Sequence, residues 1–360
     1  MVKRQCTMEN LELISFWGNK KVLVTGHTGF KGSWLSLWLS ELNARLYGYA
    51  LAPEKDQPLL EQFHLPERMS HKTGDIRDLD SLRDHIRQIR PDVIFHLAAQ
   101  SLVLRGYEQT PQTWATNLLG TVNLLEALRD IDHPTVVIII TTDKVYQNRE
   151  WVHPYRETDR LGGLDPYSAS KAGAELAIAS YRHILAREAP HVRVASARAG
   201  NVIGGGDWSD NRLFPDIARA LIAQTPIEIR NPFAIRPWQH VLEPLQGYLM
   251  LTEKLSQDPA LATSFNFGPY ADSHRTVEEV IQTCLKYWPG SYVTNRDANA
   301  PHEASILKLS IDKAICELGW HPKWTFEETI DKSISWYRDV DRGADPQTLA
   351  LDQISEYSCR

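Results

Sequence analysis

Lys21-Val-Leu-Val-Thr25-Gly26-His-Thr-Gly29-Phe-Lys-Gly32 decides the fold. Its first five residues read as a short buried strand. The run from Gly32 to Asn43 then carries Trp34, Trp38 and Leu42 at helical spacing, with Leu35 and Leu39 beside them. Between strand and helix the glycines fall as Gly-x-x-Gly-x-x-Gly. Glycines there allow a tight turn, close approach of the backbone to a pyrophosphate, and close packing of helix on strand. The helix N-terminus then faces the phosphates. Gly26, Gly29 and Gly32, with Thr28 between them, are candidate cofactor contacts.

Outward from this loop, strand-like and helix-like segments alternate, as in a parallel sheet covered by helices on both faces. Further strands are expected at Arg45 to Leu51, at a run ending in Gly74-Asp75-Ile76, at Val93 to Leu97, at Thr135 to Thr141 and at Val192 to Ala197. Helices are expected from Ser81 to Arg90 and from Thr113 to Asp130, and again at 276–288 and 325–338. The fold class is α/β: a doubly wound parallel-sheet Rossmann domain with a smaller C-terminal α/β substrate-binding lobe. The expected divisions are an extension over 1–18, a cofactor domain over 19–200, a substrate lobe over 201–345 and a tail over 346–360. The chain is free to cross back after residue 200.

At 360 residues and 42% apolar composition the chain can bury a large core. A formal charge of −6 gives no reason to expect nucleic acid or an acidic membrane as partner. Cys6, Cys284, Cys316 and Cys359 have no metal spacing and no paired motif, which fits a reducing cytoplasm, and no metal is expected. No apolar run approaches the roughly 18 residues of a membrane span, and no signal-peptide pattern opens the chain.

The chemistry concentrates in residues 141–171. Tyr167 and Lys171 stand four apart, on one face of a helix and about one turn from each other. An ammonium held there stabilises a phenolate, and the phenolate can take a proton from an alcohol. Just upstream, Thr142, Asp143 and Lys144 end the strand through Val136-Val-Ile-Ile-Ile140. A hydroxyl, an acid and an amine gathered there point beyond one proton transfer.

Other candidates are less local. The second strand ends without the usual ribose-binding acid, reading Tyr49-Ala-Leu-Ala-Pro53, so Glu54, Asp56 or backbone groups must serve. No arginine sits there to clasp a 2′-phosphate. Asp75 could meet an adenine or cap the next helix. His96-Leu-Ala-Ala-Gln-Ser101 leaves its strand on small residues, as a chain passing a cofactor must, and Ser101 could bond substrate. Arg198, Asn201, Asp207, Trp208, Arg236 and His240 fall in the later, loop-rich stretch. Arginines pair well with diphosphates, and a tryptophan offers a base a stacking face. His302 and Glu303 could help, but nothing in the sequence assigns them a role.

From about Lys20 to Asp339 the chain resembles the extended short-chain dehydrogenase/reductase superfamily. Thr141-Thr-Asp-Lys144, the insert through Trp151, Tyr155-Arg-Glu157 and Asp165-Pro-Tyr167-Ser-Ala-Ser-Lys171 are similar to the sugar-nucleotide 4,6-dehydratases. Ala199 to Trp208 and Arg230 to Val241 resemble one branch of these, acting on CDP-glucose. The resemblance implies NAD as cofactor, with Phe30, Lys31, Asp75, Ile76, Leu97, Ala98, Ala99 and Thr116 near it. It places Ser101, Thr142, Asn201 and Arg236 near substrate, and implies a homodimer or dimer of dimers built on helices at 113–130 and 167–186.

The implied reaction has three steps. Tyr167, helped by Lys171 and Thr142, takes the proton of the sugar's 4-hydroxyl while hydride leaves C4. Water is then lost across C5 and C6, and hydride returns to C6. Better-known dTDP-glucose relatives carry Asp-Glu where this chain has Asp143-Lys144, so Asp143 is expected as acid and Lys144 as base. A lysine base needs a pKa well below about 10.4, and an acid needs an apolar setting.

Three other readings stay open: a 4,6-dehydratase acting on another nucleotide sugar, a 4-epimerase, and a non-catalytic dinucleotide sensor. An epimerase needs no acid and base for C5 and C6. In UDP-N-acetylglucosamine dehydratases, which also carry Asp-Lys, the tyrosine follows sooner than the 24 positions from Asp143 to Tyr167. A sensor of this kind usually loses the tyrosine or the lysine.

Overall fold

The structure is a computed structural model that describes residues 15–54, 58–294 and 306–360; Cys6, Asp56, His302 and Glu303 lie outside the described residues. Seven parallel strands form the central sheet: β1 (Lys21–Thr25), β2 (Arg45–Ala50), β3 (Met69–Thr73), β4 (Val93–His96), β5 (Thr135–Thr142), β6 (Val192–Ala199) and β7 (Ser264–Phe267). Their order is β7-β6-β5-β4-β1-β2-β3. This is the expected α/β, doubly wound arrangement. Between β1 and β4 the winding reverses, and the crevice above their C-terminal ends is where such sheets take ligands.

The strands are apolar on both sides because helices cover both faces. Val22, Val24, Phe95, Ile138 and Ile140 point into one core; Leu23, Ile94, Val137 and Ile139 point into the other. All eight residues of β5 are buried, which explains its unbroken apolar reading.

Helices that matter below are α1 (Phe30–Glu41), α2 (Leu79–Ile89), α3, α4 (Pro166–Glu188), α5 (Leu242–Gln257), α6 (Phe326–Asp341) and α7 (Pro346–Ser358). The expected helix at 113–130 is the bulged α3. It runs from Thr110–Trp114 through a π-helical turn at Ala115–Leu119 into Gly120–Ala127. Such bulges re-aim side chains and recur at functional sites. In the later part of the chain, short strand pairs join 235–237 with 274–276 and 227–229 with 292–294. Between the two members of each pair the chain returns to the main sheet as β7.

Both ends of the described chain belong to the packed body. Trp17 is fully buried, stacks on Phe95 and donates to Glu253 at 2.7 Å, so the packed fold begins before Lys20. The stretch after 345, expected as a tail, is the helix α7. Tyr357 of α7 packs on Trp38 and Trp324 and donates to the buried carboxylate of Glu243 at 2.5 Å.

His240, expected near substrate, is a core residue. Its ring is fully buried edge-on to Trp34 and Trp324, and its Nδ1 accepts from the Leu242 amide at 3.3 Å. Burial, then the charge of Lys332, pushes it down to about 3, so it stays neutral in the fold. A histidine that charges at about 6.5 only when unfolded contributes stability above that pH and loses it as pH falls. Between pH 7.5 and 5 the loss is about 2 kcal/mol. Glu243, raised to about 6 by burial, works in the opposite sense but is common to any comparison at position 240. His240→Gln should therefore show a drop in unfolding free energy between pH 7.5 and 5 that is smaller than wild type's by about that amount, measured by urea titration; an unchanged drop would place His240 in solvent.

Candidate active site

The glycine loop is a cradle by construction. A Cβ on Gly32 would lie 2.1 Å from the Gly26 carbonyl oxygen, so only glycine lets the first turn of α1 close on the loop. Gly29 caps α1 with no side-chain hydrogen bond, and no acid sits in the first turn. The leading N–H groups and positive helix end are left for an anion, which fits the diphosphate of a dinucleotide.

Across the crevice, the end of β4 and the irregular segment after it are tied to this loop. Thr25 and His96 bond at 2.7 Å, and the Ala98 amide donates to Thr25 Oγ1 at 3.3 Å. Leu97, Ala98 and Ala99 are half-buried along this path. Asn117, buried in the π turn of α3, locks their continuation: it accepts from the Gln100 amide at 2.8 Å and donates to the Gln100 carbonyl at 2.9 Å. It also donates to Ser170 Oγ at 3.0 Å, between Tyr167 and Lys171 on α4. Thr116 precedes it, half-buried. Nothing local in the sequence marks Asn117, because its partners lie 17 and 53 positions away.

At the far end Ile76 is buried against Gly120. Asp75 holds Arg77 through two guanidinium nitrogens, at 2.9 and 2.5 Å, and also takes the Arg77 amide, while Asp78 is the cap of α2. The Asp75 carboxylate is thus engaged by Arg77, whose hydrogen bonds lower its pKa. Glu54 is paired bidentately with Arg105, at 2.8 and 3.0 Å.

The strand end of β5 and the start of α4 meet as their sequence spacing suggested. Thr142 Oγ1 donates to Asp143 Oδ1 at 2.9 Å and takes the Lys144 amide at 3.3 Å. Asp143 is 1% exposed, and its other oxygen has no partner among the described residues. It lies against Gly200, where any Cβ would come within 1.9 Å of that oxygen. Lys144 is half-buried in the same turn.

Tyr167 and Lys171 are both buried. Lys171 Nζ donates to the Ile140 carbonyl at 3.1 Å; burial brings its pKa down to about 8, with Glu175 opposing. Tyr167 is pushed up to about 12 by burial, against the pull of a hydrogen bond with Thr142 and of the Arg212 charge. Lys31, half-buried in α1, falls to about 7 through burial and the charge of Arg212; Asp143 opposes this and Lys171 adds to it.

Arg212 is the residue that the sequence did not flag. Its guanidinium donates to Asp207 Oδ2 and to Ser101 Oγ, each at 2.9 Å, joining the loops that follow β6 and β4 over the tyrosine. Asp207 therefore holds Arg212 and also takes the Ser209 amide. Trp208 packs edge-on to Tyr337 at 5.0 Å. Asn201 sits in the left-handed region with φ 40° directly after Gly200, and its carbonyl takes the Gln239 amide at 3.3 Å. Arg236 is half-buried on the strand 235–237. Arg198, read as a diphosphate ligand, is instead buried on β6 and ion-paired with Glu175 at 2.8 Å. Among the described residues no group of acids, histidines and cysteines could hold a metal ion, and no helix is long and apolar enough to cross a membrane.

Residues 23–333 match the protein family described as GDP-mannose 4,6 dehydratase. A CDP-glucose 4,6-dehydratase of Salmonella typhimurium is 45% identical over 350 residues, spanning 95% of this chain and 97% of its own length. Among solved structures, the dTDP-glucose 4,6-dehydratase of Bacillus anthracis in complex with NAD superposes with a TM-score of 0.75 at 21% identity, over 91% of this chain and 99% of that one. The UDP-glucose-4-epimerase of Stenotrophomonas maltophila with bound NAD gives 0.79 at 19% identity, over 91% and 100%.

Proposed function

The chain belongs to the GDP-mannose 4,6 dehydratase family, and from that premise we propose that it is an NAD-dependent sugar-nucleotide 4,6-dehydratase whose substrate is CDP-glucose. The product is CDP-4-keto-6-deoxyglucose, an intermediate for deoxysugar synthesis. The observation that carries this reading is Asp143: a buried carboxylate with one oxygen unpartnered among the described residues, set beside the tyrosine–lysine pair. An epimerase has no use for that group. The near full-length similarity to a CDP-glucose enzyme supports the choice of nucleotide.

When bound along the glycine loop, NAD supplies hydride acceptance at C4 and hydride return at C6. The chain supplies the proton traffic. Tyr167 removes the 4-hydroxyl proton. Lowering a phenol from about 12 to about 7 requires roughly 7 kcal/mol of extra phenolate stabilisation. The Thr142 hydroxyl and the Arg212 charge already act in that value, and one nearby cation shifts a pKa by about 1–3 units, so the Lys171 ammonium must be joined by stabilisation that arrives with the bound substrate and cofactor. The C4 ketone then acidifies C5–H. Lys144 takes that proton, and Asp143 gives one to the departing 6-hydroxyl. Ser101, Asn201 and Arg236 orient the sugar and diphosphate, while Asp207 and Trp208 set the wall from which Arg212 reaches in.

We also assign a homodimer to the face formed by α3 and α4. Trp114 and Leu119 on α3 and Leu176 on α4 are large, apolar and exposed. A patch of this kind on two packed helices fits a self-complementary interface.

Incubation with NAD and CDP-, dTDP-, UDP- or GDP-sugars should yield a 4-keto product, seen by its absorbance in alkali, with CDP-glucose preferred at least tenfold in kcat/KM. Preference for another nucleotide would overturn the substrate assignment. Lys144→Ala should oxidise C4 yet lose water at least a hundredfold more slowly; full dehydration by this variant would remove Lys144 from its role. Leu176→Arg should sediment as a monomer where wild type sediments as a dimer, and a wild-type monomer would end the interface proposal.

A further inference from the structure

Lys171 is followed one helical turn later by Glu175, and the carboxylate of Glu175 is 2% exposed. Buried carboxylates are tolerated only when paired and bonded. This one is saturated. Its Oε1 accepts from Thr141 at 2.6 Å; its Oε2 accepts from Arg198 at 2.8 Å, from Ser196 at 2.9 Å and from Ser264 at 3.3 Å. Those four donors come from β5, β6 and β7, so one side chain of α4 fastens three adjacent strands. Thr141 lies between Ile140, whose carbonyl takes the Lys171 ammonium, and Thr142, which bonds Asp143. Arg198 carries the network on to the Tyr146 hydroxyl at 2.9 Å, and Tyr146 to Asn266 at 2.7 Å.

We propose that Glu175 is a positioning residue for the reaction: through Thr141 it fixes the strand end that receives Lys171, and its charge, balanced from behind by Arg198, keeps the Lys171 ammonium protonated. This rests on the dehydratase reading above. Other titratable groups face Lys171 as well: His96 from β4, held neutral by burial and by Lys171 itself, and Lys31 from α1, while Tyr167 stands one turn before it on α4. Glu175 is the group that acts on Lys171 against its burial.

The sign follows from the role. Lys171 works as a cation, so activity is full below its pKa and falls as pH rises through it, near 8 in the native protein. Removing the carboxylate charge lets burial and Arg198 depress Lys171 further, and the high-pH limb of kcat moves to lower pH. Charge removal at this range shifts a pKa by about 1 unit or more.

The experiment is the pH profile of 4-keto product formation by the full-length protein with NAD and CDP-glucose, for wild type, Glu175→Gln and Glu175→Asp. Glu175→Gln should move the high-pH limb down by about one pH unit. Glu175→Asp, which disturbs the packing but keeps the charge, should leave the limb within a few tenths of a unit of wild type. Both variants should lower the melting temperature, so melting alone cannot mimic the result. If Glu175→Gln does not fold, Glu175→Gln/Arg198→Gln also removes the guanidinium that the lost carboxylate would leave unpaired. Its limb should also move down, by less than one unit. A limb that stays put in whichever of these folds, while wild type turns over, overturns the proposal and leaves the dehydratase reading intact. A wild type with no product refutes the reading itself.

Discussion

The site depends on burying an ammonium. Lys171 is driven into the end of the sheet with a backbone carbonyl, that of Ile140, as its hydrogen-bond partner. Water can no longer satisfy it, and a lone buried cation is costly. The surrounding structure is arranged to offset that cost. Glu175 stands one turn along the same helix, Arg198 balances it, and three strands supply donors to its carboxylate. The low-dielectric setting that makes the ammonium expensive also strengthens its hold on a phenolate one turn away.

Topology brings the remaining parts to the same place. The winding reverses between β1 and β4, so the glycine loop and the Leu97–Ser101 path diverge there and leave a crevice. β5 lies beside β4 and delivers Thr142 and Asp143 to its rim. α4 crosses behind β5 with Tyr167 and Lys171 facing in. Asn117 and Arg212 then brace the rim from two directions, one through the π turn of α3 and the other from the loop beyond β6.

What could be read from sequence was what repeats locally. Two-sided burial made the strands continuous apolar runs, and β5 was legible for that reason. Gly26 to Gly32 and Tyr167 to Lys171 were legible because their function needs fixed spacing within one turn. Residues whose meaning depends on distant partners were not. Arg212 meets Ser101 from 111 positions away, and no periodicity records that. Arg198 and His240 are polar residues beside loop-rich sequence, which suggested a ligand; the fold buries both, one on Glu175 and the other between tryptophans. Trp17 and α7 read in sequence as an extension and a tail because their contacts, with Glu253 and Glu243, are long-range.

The central claim is that the hydride taken from C4 returns to C6 of the same sugar. CDP-glucose deuterated at C4, converted in ordinary water with NAD and examined by NMR and mass spectrometry, tests it directly. The account predicts a 4-keto-6-deoxy product with one deuterium at C6. Deuterium restored to C4 of an epimerised sugar, or a product without deuterium, would contradict it.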